Sequence, residues 1–199
     1  MNRDFLARLS VGVLFVLLSI NLLNDFQHTH RMTSLLLLAS ESMVVVLMVF
    51  RRPTGIVDRS AIARVAALAS IIGPPLLRAG GGGGLVPDAV TASVSAAGLV
   101  LVIAGKLSLG RSFGIVAANR GVVASGPYLL VRHPIYVGYL ITYVAFSVAN
   151  PTAMNLAIVL MIDASLVVRA LIEERTLVND ERYRTYCNRV AWHFLPGVF

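Results

Sequence analysis

The sequence predicts an all-α, polytopic membrane helical bundle of about six transmembrane helices, followed by a C-terminal interfacial helix. Three observations lead there. Hydrophobic residues make up 57% of the 199 and charged residues 14%, with a mean hydropathy of +0.78, whereas a soluble domain carries about 25% charged residues. The apolar residues are gathered into runs close to the roughly 20 that cross a bilayer core. Finally, the 17 basic and 10 acidic residues, a net charge of +7, fall in the gaps between those runs. The excess therefore describes membrane topology rather than a nucleic-acid partner.

Taken in order, the candidate spans are Phe5 to Leu23, Met32 to Phe50, Ala61 to Leu77, Val86 to Leu109, Pro134 to Ala149 and Thr152 to Leu171. Arg3 precedes the first, but Asn24, Asp25, Phe26 and Gln27 follow it where a small-residue cleavage pattern would stand, so it reads as a retained helix. Pro74-Pro75 interrupts the end of the third span, and Gly80 to Gly84 follows as a flexible loop. Asn150-Pro151 alone joins the last two, which makes them an antiparallel hairpin. From Val178 to Val190, Tyr183, Tyr186, Cys187 and Val190 recur at helical spacing among Arg182, Arg184 and Arg189, the pattern of an interfacial helix. Trp192 and Phe194 beyond it suit the headgroup layer.

Orientation follows from the basic residues. Arg3 and Arg8, then Arg51, Arg52, Arg59 and Arg64, then Lys106, Arg111, Arg120 and Arg132, then Arg169, Arg175, Arg182, Arg184 and Arg189 make 15 of the 17, all on one side. Arg31 and Arg78 lie on the other. Cytoplasmic loops collect Lys and Arg, so both termini are expected in the cytoplasm.

The chemistry-bearing residues form two groups. The stretch GRSFGIVAANRGVVASGPYLLVRHP, from Gly110 to Pro134, lacks the setting of a dinucleotide fold and holds no phosphate loop. It ends with Arg132 and His133 ahead of Pro134, a natural first helical residue, with Tyr136 and Gly138 following. Free backbone N–H groups at such a helix mouth favour an anion. The second group is Arg169, Glu173 and Glu174 at the end of the last span, where Arg169 and Glu173 share a helix face. The hairpin brings both groups to one cytoplasmic depth. Glu41, flanked by Ser40 and Ser42, reads as a helix-packing contact, and Asp163, two turns from Arg169, as a possible cavity residue. A single cysteine and the absence of any Cys/His cluster at ligand spacing give no metal signature.

The run SGPYLLVRHPIYVGY, with R-H-P-x-Y-x-G followed about 35 residues later by EERTL, then Tyr183, Tyr186, Arg189-Val190 and Pro196, resembles the isoprenylcysteine carboxyl methyltransferase family and its relatives, which include phospholipid N-methyltransferases. The resemblance implies an integral membrane enzyme using S-adenosylmethionine. It divides the chain into helices 1–106, a scaffold on the acceptor side, and a methyltransferase-like half, 107–199, with the cofactor pocket. It places Tyr128, His133, Pro134, Tyr136, Gly138, Glu173 and Glu174 on the cofactor side and Arg169 at an arginine preceding the glutamates. Two departures stand out: a short spacer, Val178 to Arg182, and Asn119 where relatives often carry His.

Methyl transfer from a sulfonium asks the protein to exclude water, align the reactants and keep negative groups near the sulfonium. Arg169, with Arg132 second, would orient a carboxylate acceptor, while an amine or thiol would need Glu173 or His133 as base. The expected partners are the bilayer and a lipophilic acceptor, either the carboxylate of a prenylated substrate or a lipid amine or thiol. An NADPH-dependent membrane reductase of the sterol-reductase type is the alternative enzyme, although that group tends to carry Asn at the position of Pro134. A non-catalytic membrane component would leave both clusters unexplained.

Overall fold

A computed structural model describes residues 32–78 and 85–198, with residues 16, 19, 20, 23, 24, 26 and 27 ahead of them. Its helices are α1 (Met32–Phe50), α2 (Ala61–Leu76), α3 (Asp88–Leu109), α4 (Pro134–Ala149), α5 (Ala153–Leu177) and α6 (Glu181–Arg189), with short 3-10 turns at Gly110–Ser112 and Gly126–Leu129. No strand is formed among the described residues; an isolated antiparallel bridge joins Val57 to Ala118. Most of the first expected span lies outside the described residues, as do Gly80 to Gly84 and the side chain of Glu41. Within that span, Val16, Ser19, Ile20 and Leu23 are helical.

Two helices are long and apolar enough to cross a membrane, as segments Asp88–Ser112 and Ala153–Leu177 of 25 residues each, and about a third or less of each is buried inside the structure. Such exposure of apolar helix surface suits hydrocarbon better than water. Among the described residues, two of the six expected spans are helices of full crossing length. The reason is punctuation: α2 ends just past Pro74-Pro75, and α4 begins at Pro134 and stops before Pro151, leaving 16 residues each. Sixteen residues rise about 24 Å, short of the roughly 30 Å of hydrocarbon. Pro74 and Pro75 lie inside the last turn of α2 rather than ending it before them.

Local chemistry sets the boundaries. Ser60 caps α2 by accepting from the Ala63 N–H at 3.2 Å, and Thr152 caps α5 by accepting from the Asn155 N–H at 3.1 Å. At the end of the bundle away from the glutamates, Asn155 is fully buried. Its side-chain amide accepts from the Arg78 N–H at 3.0 Å and donates to the carbonyls of Arg78 at 2.9 Å and Asn150 at 3.0 Å. One side chain thus ties the exit of α2 to the α4–α5 turn.

The closest helix crossing is that of α3 with α4. A Cβ added to Gly138 would meet the Gly98 carbonyl at 2.5 Å and the Val102 N at 2.9 Å, so the two backbones touch. α5 packs chiefly on α2, whose small residues Ala63, Ala66, Ala67 and Gly73 are buried. Lys106, read from sequence as one of the loop cations, is instead fully buried on α3. Its Nζ donates to the carbonyl and hydroxyl oxygens of Ser40 on α1, at 2.7 and 2.9 Å, and lies over the Tyr139 ring.

After α6 the chain returns across the mouth of α4, where the N–H groups of Arg132 and His133 donate to the carbonyls of Trp192 and His193 at 2.9 and 3.1 Å. Phe194, expected in the headgroup layer, is buried against the His133 ring. Tyr183, Tyr186, Val190 and Tyr128 form a core of their own beneath α6.

Candidate functional site

Pro134 opens α4 and fixes His133 at the N-cap position, yet the His133 side chain makes no cap bond. Its ring turns instead to α5, where the Nε2 lies 2.9 Å from Glu174 Oε1. A carboxylate only accepts, so Nε2 donates the proton of this bond, and Nδ1 is left as an acceptor wherever the ring carries that proton alone. That nitrogen faces Glu173 Oε2 at 4.0 Å. The ring, 7% exposed, is stacked on Tyr136 and tilted against Phe194, each at 5.6 Å between centroids.

The two glutamates are used differently. Glu174 is engaged on both oxygens: Oε1 receives His133, Oε2 receives Arg132 Nη1 at 3.3 Å, and His193 Nε2 lies 3.1 Å from Oε2 and 3.3 Å from Arg132 Nη1. Arg132 is itself fixed to the end of α6, its Nε donating to the Val190 carbonyl at 2.8 Å and its Nη2 to the Cys187 carbonyl at 3.3 Å. Glu173 accepts from the Tyr136 hydroxyl on Oε1, and Arg169 Nη2 stands 3.9 Å from the same oxygen. Oε2 of Glu173 therefore retains acceptor capacity facing His133.

Arg169 points away from His133. Its Nη1 donates to Ser70 Oγ on α2 and its Nη2 to the Ile115 carbonyl, both at 2.8 Å, and its guanidinium lies 5.3 Å from the Tyr136 ring centre. Glu173 thus stands between the Arg169 guanidinium and the His133 ring. Ala63, Ile115, Ala117, Arg169, Ile172 and Glu173 line a crevice there that is too narrow to admit a water molecule. It is smaller than the roughly 300–1,000 Å³ of sites for drug-sized ligands. A separate apolar groove of about 440 Å³ runs along Val94, Val137, Ile141 and Val144 to Phe194, whose ring also touches His133.

The remaining residues singled out from sequence sit nearby but differently. Pro134 is fully buried as the first residue of α4. Gly138 faces Gly98 across the α3–α4 crossing. Tyr128 is buried under α6, where burial first and then the charge of Glu173 raise its pKa, and its carbonyl accepts from the Tyr186 hydroxyl at 2.8 Å. Asp163 is not drawn into the cluster, and its Oδ1 is buried with no hydrogen-bond partner among the described residues. Three contributors went unread in the sequence: His193, Ser70 and the Ile115 carbonyl. The two departures from the family pattern meet each other, Asn119 Nδ2 donating to Asp180 Oδ2 at 2.8 Å. That bond, the largest cause, holds the Asp180 carboxyl below the usual carboxylate range.

A histidine, a tyrosine and two carboxylates are thus gathered at the mouth of a helical hairpin beside long apolar helices. Residues 87–184 match the phospholipid methyltransferase family model. Just under half of the chain is thus similar to that family. That family is among the relatives of the isoprenylcysteine carboxyl methyltransferases to which the motif pointed. No curated protein is significantly similar to the chain. The matched stretch runs from just before α3 into α6 and so contains Arg120, Arg132, His133, Tyr136, Arg169 and both glutamates. α2, with Ser70, and the returning C-terminal segment, with His193 and Phe194, lie outside the matched stretch yet complete the cluster.

Proposed function

We propose that the chain is an integral membrane methyltransferase that moves a methyl group from S-adenosylmethionine to a lipophilic acceptor at the cytoplasmic face of a multi-pass bundle, with both termini cytoplasmic. The observation that carries this is the pair Glu173 Oε2 and His133 Nδ1, which face each other at 4.0 Å beside a carboxylate engaged on both oxygens, and which are both acceptors when the ring carries only its Nε2 proton. Two facing acceptors favour a cationic N–H donor or a sulfonium between them. The donor set therefore fits S-adenosylmethionine, whose ammonium and sulfonium are both positive.

When bound, the cofactor supplies an electrophilic methyl on sulfur and leaves as a neutral thioether. The work of the chain is electrostatic and positional. Glu173 offsets the positive charge, and Glu174 fixes the tautomer and orientation of His133 while holding Arg132 and His193. Arg169, behind Glu173, directs a polar or acidic part of the acceptor, while Tyr136 fixes the Glu173 carboxylate. The family description favours a lipid amine among the acceptors. An ammonium must lose a proton before its nitrogen can attack, and His133 Nδ1 or Glu173 Oε2 receives it.

Two measurements test this reading. Calorimetry with the detergent-purified protein should show S-adenosylmethionine binding that weakens at least tenfold in Glu173→Gln. Membranes incubated with methyl-labelled cofactor should transfer the label to an extractable lipid. Cofactor affinity unchanged by Glu173→Gln would remove the basis of the assignment. Cys187, the single cysteine, should react with an impermeant maleimide from the cytoplasmic side; reaction from outside alone would reverse the topology.

A further inference from the structure

The loops at the cluster end of the bundle carry arginines that the chemistry above does not use. Loop 51–60 and loop 110–121 are tied edge to edge: the Arg52 N–H donates to the Arg111 carbonyl at 2.8 Å, the Asp58 N–H to the Ala117 carbonyl at 3.0 Å and the Asn119 N–H to the Ile56 carbonyl at 3.0 Å, around the Val57–Ala118 bridge. Arg111 Nε closes the other end on the Phe50 carbonyl at 3.1 Å. This pairing gathers Arg51, Arg52, Arg111 and Arg120 into one small region.

Arg120 is the member that faces inward. Its guanidinium lies over Gly114, where a Cβ would collide with it, and its Nη1 donates to the Val116 carbonyl at 3.4 Å. The residue between, Ile115, gives its carbonyl to Arg169. A single turn, Gly114 to Val116, therefore seats two guanidinium groups, and Ile115 and Ala117 of the same stretch line the crevice with Glu173. Arg120 Nε is buried and has no hydrogen-bond partner among the described residues. Burial, and then the like charge of Arg51, lowers its pKa, while Glu173 opposes this. A desolvated guanidinium with an unused donor and a like-charged neighbour gains most from an anion with several oxygens.

Resting on the methyltransferase reading above, we infer that Arg120, in the turn that also seats Arg169, binds the phosphodiester of the acceptor lipid's headgroup and so sets its amine at Glu173. Headgroup length sets what the placement must satisfy. In an aminoethyl phosphodiester the nitrogen and phosphorus are separated by a short chain of single bonds, about 5 Å when extended, so the phosphate-binding group must stand close to, but apart from, the point of transfer. Arg120 is within electrostatic reach of Glu173 and separated from it by the Ile115 turn. Arg51, Arg52 and Arg111 would add attraction for anionic headgroups.

The test compares ligands with and without phosphate. Binding of dihexanoyl phosphatidylethanolamine, dihexanoylglycerol and inorganic phosphate to the full chain in a neutral detergent is measured by calorimetry, for wild type, Arg120→Gln and Gly114→Ala. The second variant displaces the guanidinium without removing its charge, since the three atoms nearest the added methyl all belong to the flexible end of the Arg120 side chain. The wild type should prefer the phospholipid to the diacylglycerol by at least tenfold. Both variants should lose most of that preference while keeping S-adenosylmethionine affinity within a few-fold. A preference equally strong in the variants overturns the site, as does inorganic phosphate binding as tightly as the lipid, which would make free phosphate the ligand. Failure of the methyltransferase reading shows separately: label enters no lipid, yet the phosphate-dependent preference is still lost in Arg120→Gln.

Discussion

Gly138→Ala separates two roles that a glycine in this motif can play. The sequence motif places Gly138 on the cofactor side, whereas in the fold it meets Gly98 and Val102 of α3. A methyl group there would sit 2.5 Å from the Gly98 carbonyl oxygen, 2.7 Å from Val102 Cγ2 and 2.9 Å from the Val102 backbone N. Only the Val102 methyl can rotate away. The two backbone atoms move only if the helices separate, which also opens the contacts of Gly105 with Ile135 one pair of turns along. Overpacking of this kind costs about 1–3 kcal/mol, and the rigid neighbours put the expected value at the upper end, about 2–3 kcal/mol. For a chain of this size each kcal/mol shifts Tm by about 2–4 °C, so Gly138→Ala should melt roughly 4–12 °C below wild type in the same detergent. Gly55→Ala, where nothing lies within 4 Å, is the control and should not move. Below the melting range the variant should bind S-adenosylmethionine within a few-fold of wild type. An unchanged Tm with cofactor binding lost would refute the packing argument and return Gly138 to the ligand.

Other substitutions probe the remaining contacts. Arg169→Ala should lower turnover at least tenfold, about 1.4 kcal/mol of transition-state stabilisation, with cofactor affinity within a few-fold; calorimetry showing binding abolished would reverse the roles given to Arg169 and Glu173. Asn155→Ala strands the Arg78 N–H and carbonyl, while the Asn150 carbonyl keeps the Thr152 N–H; at about 1–3 kcal/mol for each buried unsatisfied group, reduced by water at the bundle end, it should cost about 2 kcal/mol in thermal unfolding. Asp180 has its folded pKa lowered by Asn119. Its contribution is present above the unfolded value of about 3.9 and is lost as pH falls through the lowered folded value. Trp192 fluorescence, reporting the docked tail, should therefore change at higher pH in Asn119→Ala than in wild type on acidification; superimposed titrations would dismiss the Asn119–Asp180 bond as a tether.

What the sequence revealed depended on whether a signal was local. Helix boundaries were legible because their causes lie within a few residues: Pro134 starts α4, Asn150-Pro151 ends it, Thr152 caps α5, and the expected Met32 to Phe50 and Pro134 to Ala149 match the observed helices. The meeting of His133 with Glu173 and Glu174 was legible for a topological reason, since a short turn leaves two antiparallel helices no other way to place their far ends. Side-chain partners across elements were not. Lys106 looked like a loop cation because composition cannot report that α1 presents Ser40 to it. Phe194 looked interfacial because nothing nearby in sequence says that the chain folds back onto His133. Arg169 was read with Glu173, its neighbour one turn away, but at 3.9 Å that carboxylate is a looser partner than Ser70, 99 residues distant in sequence, at 2.8 Å. The same limit explains why Arg120 passed as one more topological charge. Its neighbourhood depends on two loops pairing through backbone hydrogen bonds, and those bonds belong to no residue type, so no spacing could announce them.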